Sequence, residues 1–475
     1  MPHREVNEFR SRWERLELIR REKFDFSLPR AMRDNNVDMW IHVMKLGNPD
    51  ALAKDLGAGA DVLAPRPSGG SSGYFIFTDR GDDRIERAIL GGEALRGDGG
   101  YDLFGNEEDL GEFVKQRDPK TIAVNMSGRI AVGDGLSHTG YLRLIEAVGT
   151  KYAARVVSAE QVITDFRDRR VISEIVEYGK LGEVTRRLIE RALSNEVITV
   201  GKTTREQVAW WIKDELLDLG IEPIFTKLFM PAVLYSAKAS PEESDLPDYA
   251  FRRGDLFQFD FGFEFMNLGS DIKRTAYVLP EGEIAIPAGL QHAWSEGLRA
   301  RQVLRDSIKV GLTTGETLKI IGKNFEEAGF VFVNLVGDPG FSGGWAKVWA
   351  EALEARGYSE SEAEKTQVST DCHCVGNTGD SEIEAGPCIS GFRPSVHDLV
   401  LKSNHIFAFE LFANTAVPEW DGFRVRLGIE DNAILTEDGV QFFYPPNERI
   451  LLLHKKQRWR SRGQINAGRS GARPS

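Results

Sequence analysis

Cysteine is scarce in this chain: Cys372, Cys374 and Cys388 are its three, all in one short stretch. Thiols so few and so clustered build no disulfide framework, and they fit a reducing, cytoplasmic setting. Long hydrophobic runs are missing too: no uncharged apolar segment approaches the length needed to cross a bilayer. The first residues, MPHREVNEFRSRWERLELIRR, lack the apolar core and small-residue cleavage site of a signal peptide. Positive charge is in deficit, with a formal net charge of −12, which argues against a nucleic-acid binder. One segment runs the other way: from Lys455 onward there are seven Lys or Arg and no acidic residue. Without an apolar period, that tail (456–475) reads as a disordered, solvated end.

What is present is the composition of a soluble globular protein, 41% hydrophobic and 28% charged. A chain of 475 residues exceeds one ordinary core, so two domains are expected. Phe9, Trp13, Leu16 and Ile19 recur at helical spacing and predict a docking helix. Short strands at 35–43, 73–77 and 121–126 and a helix at 137–149 predict a small α/β domain over 1–165. The Gly/Pro/Ser-rich stretch 57–73 reads as a loop. Near Asp165 to Arg170 a boundary leads into a long helix at 171–193, which opens a second domain over 166–455.

That second domain repeats itself. ITVGKTTREQ from 198 and IKVGLTTGET from 308 share Val-Gly-x-Thr-Thr, each followed by an amphipathic helix and a glycine stop, Gly220 and Gly329. Thr203 with Glu206, and Thr313 with Glu316, are the expected capping boxes. Acidic strands follow each copy: Asp260 and Asp271 after the first, Glu410 and Glu430 after the second. Residues 335–368 read as an insertion holding a Gly-rich loop and one helix.

The stretch FDFGFEFMNLGSDIKRT (259–275) puts two aspartates in an apolar hairpin. With a four-residue turn at 266–269, Asp271 would sit opposite Glu264 and share a face with Asp260. A buried carboxylate without a partner costs several kcal/mol or more, so such a group neutralises or finds a cation. In TDCHCVGNTGD, an extended backbone would turn His373 one way and Cys372 and Cys374 the other, which disfavours a thiolate metal site. Four carboxylates beside one imidazole would be balanced by two divalent cations, and no other comparable positive charge is evident nearby.

The order Asp260, Asp271, His373, Glu410, Glu430, carried by FQFDFG, SDIKRT, HCVG, AFEL and GIEDNAILTEDG, resembles the pita-bread metallopeptidases. These include methionine aminopeptidase, aminopeptidase P and prolidase, and the α/β domain resembles the creatinase-type domain of the proline-specific branch. The resemblance spans about 28–453 and implies an α+β architecture: a creatinase-like α/β domain, then a duplicated α+β catalytic domain. It further implies two divalent ions, Mn²⁺ first with Zn²⁺, Co²⁺ or Fe²⁺ as alternatives. Asp260 would chelate one ion, Asp271 and Glu430 would bridge both, and His373 and Glu410 would complete the second. Glu410 would also be the catalytic acid–base. The expected substrate is a short peptide cleaved beside proline, and the expected assembly a homodimer, with no nucleic-acid or membrane partner.

The substrate-binding histidines of that branch are replaced. No histidine lies between His138 and His292, and Asp380 and Ser369 stand where two others would flank His373. Asp380, His397, His405, Arg424 and Arg426 are the candidates for contact with substrate. Two further readings stay open: a hydrolase of a small amide or amidino compound, as in creatinase and ectoine hydrolase, and an inactive binding module.

Overall fold

The computed structural model describes residues 8–45, 50–57, 72–81, 84–91, 100–221, 229–336, 344–359, 362–377 and 386–454. Asp380, most of the 57–73 loop and the basic tail lie outside them. Among the described residues, no helix is long and apolar enough to cross a membrane.

The first half carries helices α1 (Glu8–Glu22), α2 (Leu28–Asp34), α3 (Ala53–Leu56), α4 (Leu110–Arg117), α5 (His138–Ala153) and α6 (Glu160–Asp168). All but α1 pack on a six-stranded sheet of β1 (Met39–Lys45), β2 (Ser72–Thr78), β3 (Glu86–Leu90), β4 (Leu103–Gly105), β5 (Ile122–Val124) and β6 (Val156–Ser158). The strand order is β4-β3-β2-β1-β5-β6. The central strand β1 is buried on both faces, and its alternation is visible in the packing. Trp40 and Met44 join one core with Phe75 and Phe77, while Met39, Ile41 and Val43 join another with Tyr74 and Ile76.

Helix α1 forms where an amphipathic period was expected, and it docks on the second half. Arg12 lies over the Phe265 ring at 4.7 Å, and Arg15 pairs with Glu177 at 3.8 Å.

The second half begins with α7 (Ile172–Ala192), α8 (Arg205–Asp218), β7 (Ala232–Tyr235), α9 (Pro241–Ser244), β8 (Leu256–Phe261), β9 (Glu264–Phe265), β10 (Leu268–Gly269) and β11 (Ile272–Val278). It repeats the helix-pair-then-sheet plan with α10 (Ala288–Ser307), α11 (Thr314–Glu327), β12 (Val331–Phe332), α12 (Trp345–Arg356), β13 (Gln367–Cys374), β14 (Ile389–Ser390), β15 (Ile406–Val417) and β16 (Phe423–Thr436). Two short strands close it, β17 (Gly439–Phe442) and β18 (Leu451–Leu453). One sheet runs β18-β11-β8-β7 and the other β12-β13-β15-β16-β17. An α/β unit followed by an α+β unit is the expected class.

Each repeated helix starts from a threonine held in a lone bridge to a later loop, Thr204 to Ala250 and Thr313 to Val400. Thr313 and Glu316 form the expected capping box. In the first copy the box is one residue later than expected, Thr204 with Gln207. Thr203 is unavailable because its hydroxyl accepts from the Thr199 amide. Gly220 and Gly329 follow the helices at φ 70° and 87°, the left-handed turn that favours glycine.

Candidate metal centre

The hairpin before β11 turns more tightly than the sequence implied. Met266 and Asn267 alone make the turn, both at positive φ (53° and 64°), and Gly269 pairs with Glu264. Asp271 is therefore two residues out of the expected register. A shift of two preserves the face, because side chains alternate with period two. Lys273 stands directly opposite Asp260, and Thr275 opposite Gln258. Asp271, Lys273 and Asp260 thus belong to one face.

The second sheet supplies the rest. Glu410 on β15 pairs directly with Glu430 on β16, and His373 on β13 pairs with Ala408. Two carboxylates directly across a ladder repel, so the pairing needs a counter-charge. Lys273 provides one. Its Nζ lies 2.5 Å from Glu410 Oε1, 2.7 Å from Glu430 Oε2 and 3.0 Å from Asp260 Oδ2. The expectation that only metal could balance these carboxylates overlooked this ammonium, two residues beyond Asp271.

His373 faces Asp271 and Glu430. His373 Nε2 is 3.5 Å from Glu430 Oε1 and 3.7 Å from Asp271 Oδ2, longer than good hydrogen bonds. Glu430 Oε1 is buried and has no hydrogen-bond partner among the described residues. One ligand atom from each of Asp271, His373 and Glu430 can be chosen so that all lie within 4.8 Å of one another. On the far side of the ring, Nδ1 meets the Cys374 carbonyl at 3.2 Å. A proton donated there leaves the Nε2 lone pair for an ion. A divalent cation fits these three residues in donor chemistry and in spacing.

Electrostatics point the same way. Burial opposes charge on Lys273, but Asp260, Glu410, Glu430 and Asp271 outweigh it and hold its pKa well above the lysine range. Burial, reinforced by Glu430 and Asp260, pushes the Asp271 carboxyl well up. Burial likewise raises Glu410, against the pull of Lys273. Glu430 is held low, since Lys273 and His373 overcome its burial. The His373 imidazole is pushed up to about 10: burial works against its charge, while Glu430 and Asp271 favour it. Even with Lys273 in place, then, the cluster is short of positive charge.

The other candidates are placed as follows. His405 Nδ1 pairs with Asp168 at 2.5 Å and its ring stacks on Phe407, while His397 Nε2 meets the Ser390 carbonyl at 2.7 Å. Neither is brought to the carboxylates. Arg424 donates to the Ala363, Lys365 and Asn414 carbonyls. Arg426 is different: its guanidinium lies over the rings of Trp345 (4.3 Å) and Phe412 (5.7 Å). Burial lowers its pKa to about 10 despite nearby Glu410. The three cysteines are buried and not disulfide-bonded, with the Cys374 and Cys388 sulfurs 3.6 Å apart.

Sequence reasoning missed Lys273 and also Arg393, which pairs with buried Asp371 at 2.9 Å beside His373. The signal for Lys273 was available, because period two from Asp271 places residue 273 on the same face.

Comparison with known proteins adds a family and a fold. A family model, Metallopeptidase family M24, matches residues 177–437. No curated protein matches the chain in sequence. Among solved structures, an X-Pro aminopeptidase from Thermotoga maritima MSB8 is similar at 16% identity and TM-score 0.54, over 89% of this chain and 99% of that one. An Xaa-Pro dipeptidase from Bacillus anthracis is similar at 16% identity and TM-score 0.52, over 94% and 99%. The dipeptidase PepE from Mycobacterium ulcerans gives 15% identity and TM-score 0.52, over 92% and 98%. At such identities the likeness is one of fold, and it extends over both halves of the chain.

Proposed function

The chain belongs to metallopeptidase family M24, and from that premise we propose that it is a metal-dependent hydrolase cleaving an amide bond in a short peptide, with Xaa-Pro dipeptides as the leading substrate class. The observation that carries this reading is the cluster of Asp271, His373 and Glu430 beside Glu410 and Asp260. Asp271, His373 and Glu430 would hold the ion, Mn²⁺ being the best match to an oxygen-rich set. When bound, such a cation makes hydroxide available near neutral pH and polarises a carbonyl.

The chain's own residues supply the rest. Glu410 would take the proton of the attacking water at a carboxylate oxygen and return it to the leaving amine. Lys273 keeps Glu410 and Glu430 together across the ladder. Arg426 would meet the free carboxylate of a dipeptide. Its guanidinium lies over two aromatic rings and makes no hydrogen bond or ion pair among the described residues, which leaves its hydrogen-bond fork open. Arg426→Met is expected to raise KM for dipeptides about tenfold or more and to spare the matching dipeptide amides.

A small amide or amidino substrate is the second reading. The observation favouring it is that His373 is the one described histidine brought to the cluster, His397 and His405 being engaged elsewhere. The test has two parts. Metal per chain is measured by elemental analysis in the purified protein and in Asp271→Ala, and hydrolysis is then assayed on dipeptides and tripeptides with Mn²⁺, Co²⁺ or Zn²⁺. Bound metal lost in the variant, together with peptide turnover, supports the proposal. Bound metal without peptide turnover moves the small-amide reading ahead. Absence of metal under all three ions sinks the mechanism and favours a binding role.

A further inference from the structure

We propose that Lys273 is a built-in cation occupying half of the carboxylate cage, so that the chain takes one divalent ion, at Asp271, His373 and Glu430, where two were expected. This rests on the reading of the cluster as a metal centre and deepens it by fixing the count.

The lysine is seated by more than charge. An ammonium has three N–H donors. Three different carboxylates surround Nζ, those of Asp260, Glu410 and Glu430, within 2.5–3.0 Å. The side chain is only 10% exposed, so water is a poor substitute for these partners. Its stem has space made for it. At Gly428 an added Cβ would lie 2.9 Å from Lys273 Cδ and 2.7 Å from Gln258 Oε1. The backbone at Gly428 is not in the left-handed region that would itself call for glycine. The requirement there is room. Gln258 closes the socket, donating through Nε2 to the Gly428 carbonyl (2.7 Å) and to Thr275 Oγ1 (2.8 Å). Lys273, Gly428 and Gln258, from β11, β16 and β8, therefore form one fitted arrangement.

Glu430 divides the cage. Its Oε2 faces Lys273 and its Oε1 faces His373. Asp260, Asp271, Glu410 and Glu430 carry four negative charges when ionised, and the lysine reduces them to three. One dication leaves a single negative charge; two would overshoot to a net positive one. A second ion among Asp260, Glu410 and Glu430 Oε2 would also coincide with the lysine ammonium. Coulomb repulsion and simple exclusion both oppose it.

The test is Mn²⁺ binding by the full-length protein, counted by elemental analysis after dialysis and read by electron paramagnetic resonance. The wild type is expected to bind one Mn²⁺ per chain and to show the spectrum of an isolated ion. Lys273→Ser is expected to bind two and to show exchange coupling, and Lys273→Arg to remain at one. Two coupled ions in the wild type would overturn the proposal while leaving the metal-centre reading intact. No bound ion in the wild type would overturn both. Should Lys273→Ser fail to fold, the wild-type count and spectrum still decide. A folded Lys273→Ser that stays at one ion would also overturn the proposal.

Discussion

At Glu430 the two carboxylate oxygens face different neighbours, the Lys273 ammonium at 2.7 Å and the His373 ring at 3.5 Å. Replacing it with Gln keeps the shape but removes the charge both neighbours use. Glu430→Gln is expected to weaken Mn²⁺ binding by more than the roughly 10–100-fold typical of losing a supporting partner, as titration calorimetry would read. His405 offers a contrast. It is buried against Asp168, whose carboxyl burial pushes up but which His405, Arg170 and Lys402 hold below the usual range. His405→Ala strands that carboxylate. It should cost about 3 kcal/mol in urea unfolding while leaving the metal content unchanged. A loss of metal without a loss of stability would return His405 to the site. That Asp260, Asp271, Glu410 and Glu430 would come together was legible from the sequence, because carboxylates on apolar strands demand a counter-charge. The identity of that counter-charge was not. Counting charges named metal, whereas following side-chain parity past Asp271 would have named Lys273.

Among the elements, the hairpin from β8 to β11 does most to set the geometry. Gly262 lets its arms close: an added Cβ would lie 1.8 Å from the Ser270 carbonyl oxygen, a backbone atom that cannot swing aside. Gly262→Ala is expected to destabilise the protein by about 3 kcal/mol and to reduce Mn²⁺ affinity, since the strain falls between Asp260 and Asp271. Wild-type stability in chemical denaturation would refute this. The strands and paired helices of the repeat were readable because capping and apolar period are local signals. The shift from Thr203 to Thr204 was not, since Thr203 is taken by a turn contact to Thr199 that spacing alone does not show. The two-residue turn was hidden for a similar reason: methionine at positive φ, as at Met266, is a choice no turn rule favours.

Across the whole molecule, the first half holds the segment that leaves His373. Arg167 donates to the Asn377 carbonyl (2.5 Å) and pairs with Asp55 (2.6 Å), while Arg170 reaches the Val375 carbonyl (3.1 Å). Lys23 anchors the same junction through the Arg167 and Arg169 carbonyls and Glu174. Burial, only partly offset by Glu174, lowers its pKa to about 8. In the window between that value and about 10.4, the unfolded chain holds a proton that the folded chain has released. Stability contributed by this group therefore rises with pH across the window. Relative to Lys23→Met, the wild type should gain about 2 kcal/mol between roughly pH 8 and pH 10, as urea titrations would show. Equal slopes in the two proteins would mean that Lys23 titrates as an ordinary exposed lysine.

The tight hairpin also governs which insertions the chain can absorb. Adding one residue between Gly262 and Ser270 would turn Asp271 and Lys273 away from Asp260 and dismantle the cage. Adding two at Met266 and Asn267 would lengthen the turn and leave every carboxylate on its face. Length variation here should therefore be tolerated in even steps, and a library of one- and two-residue insertions scored for Mn²⁺ retention would display that parity directly.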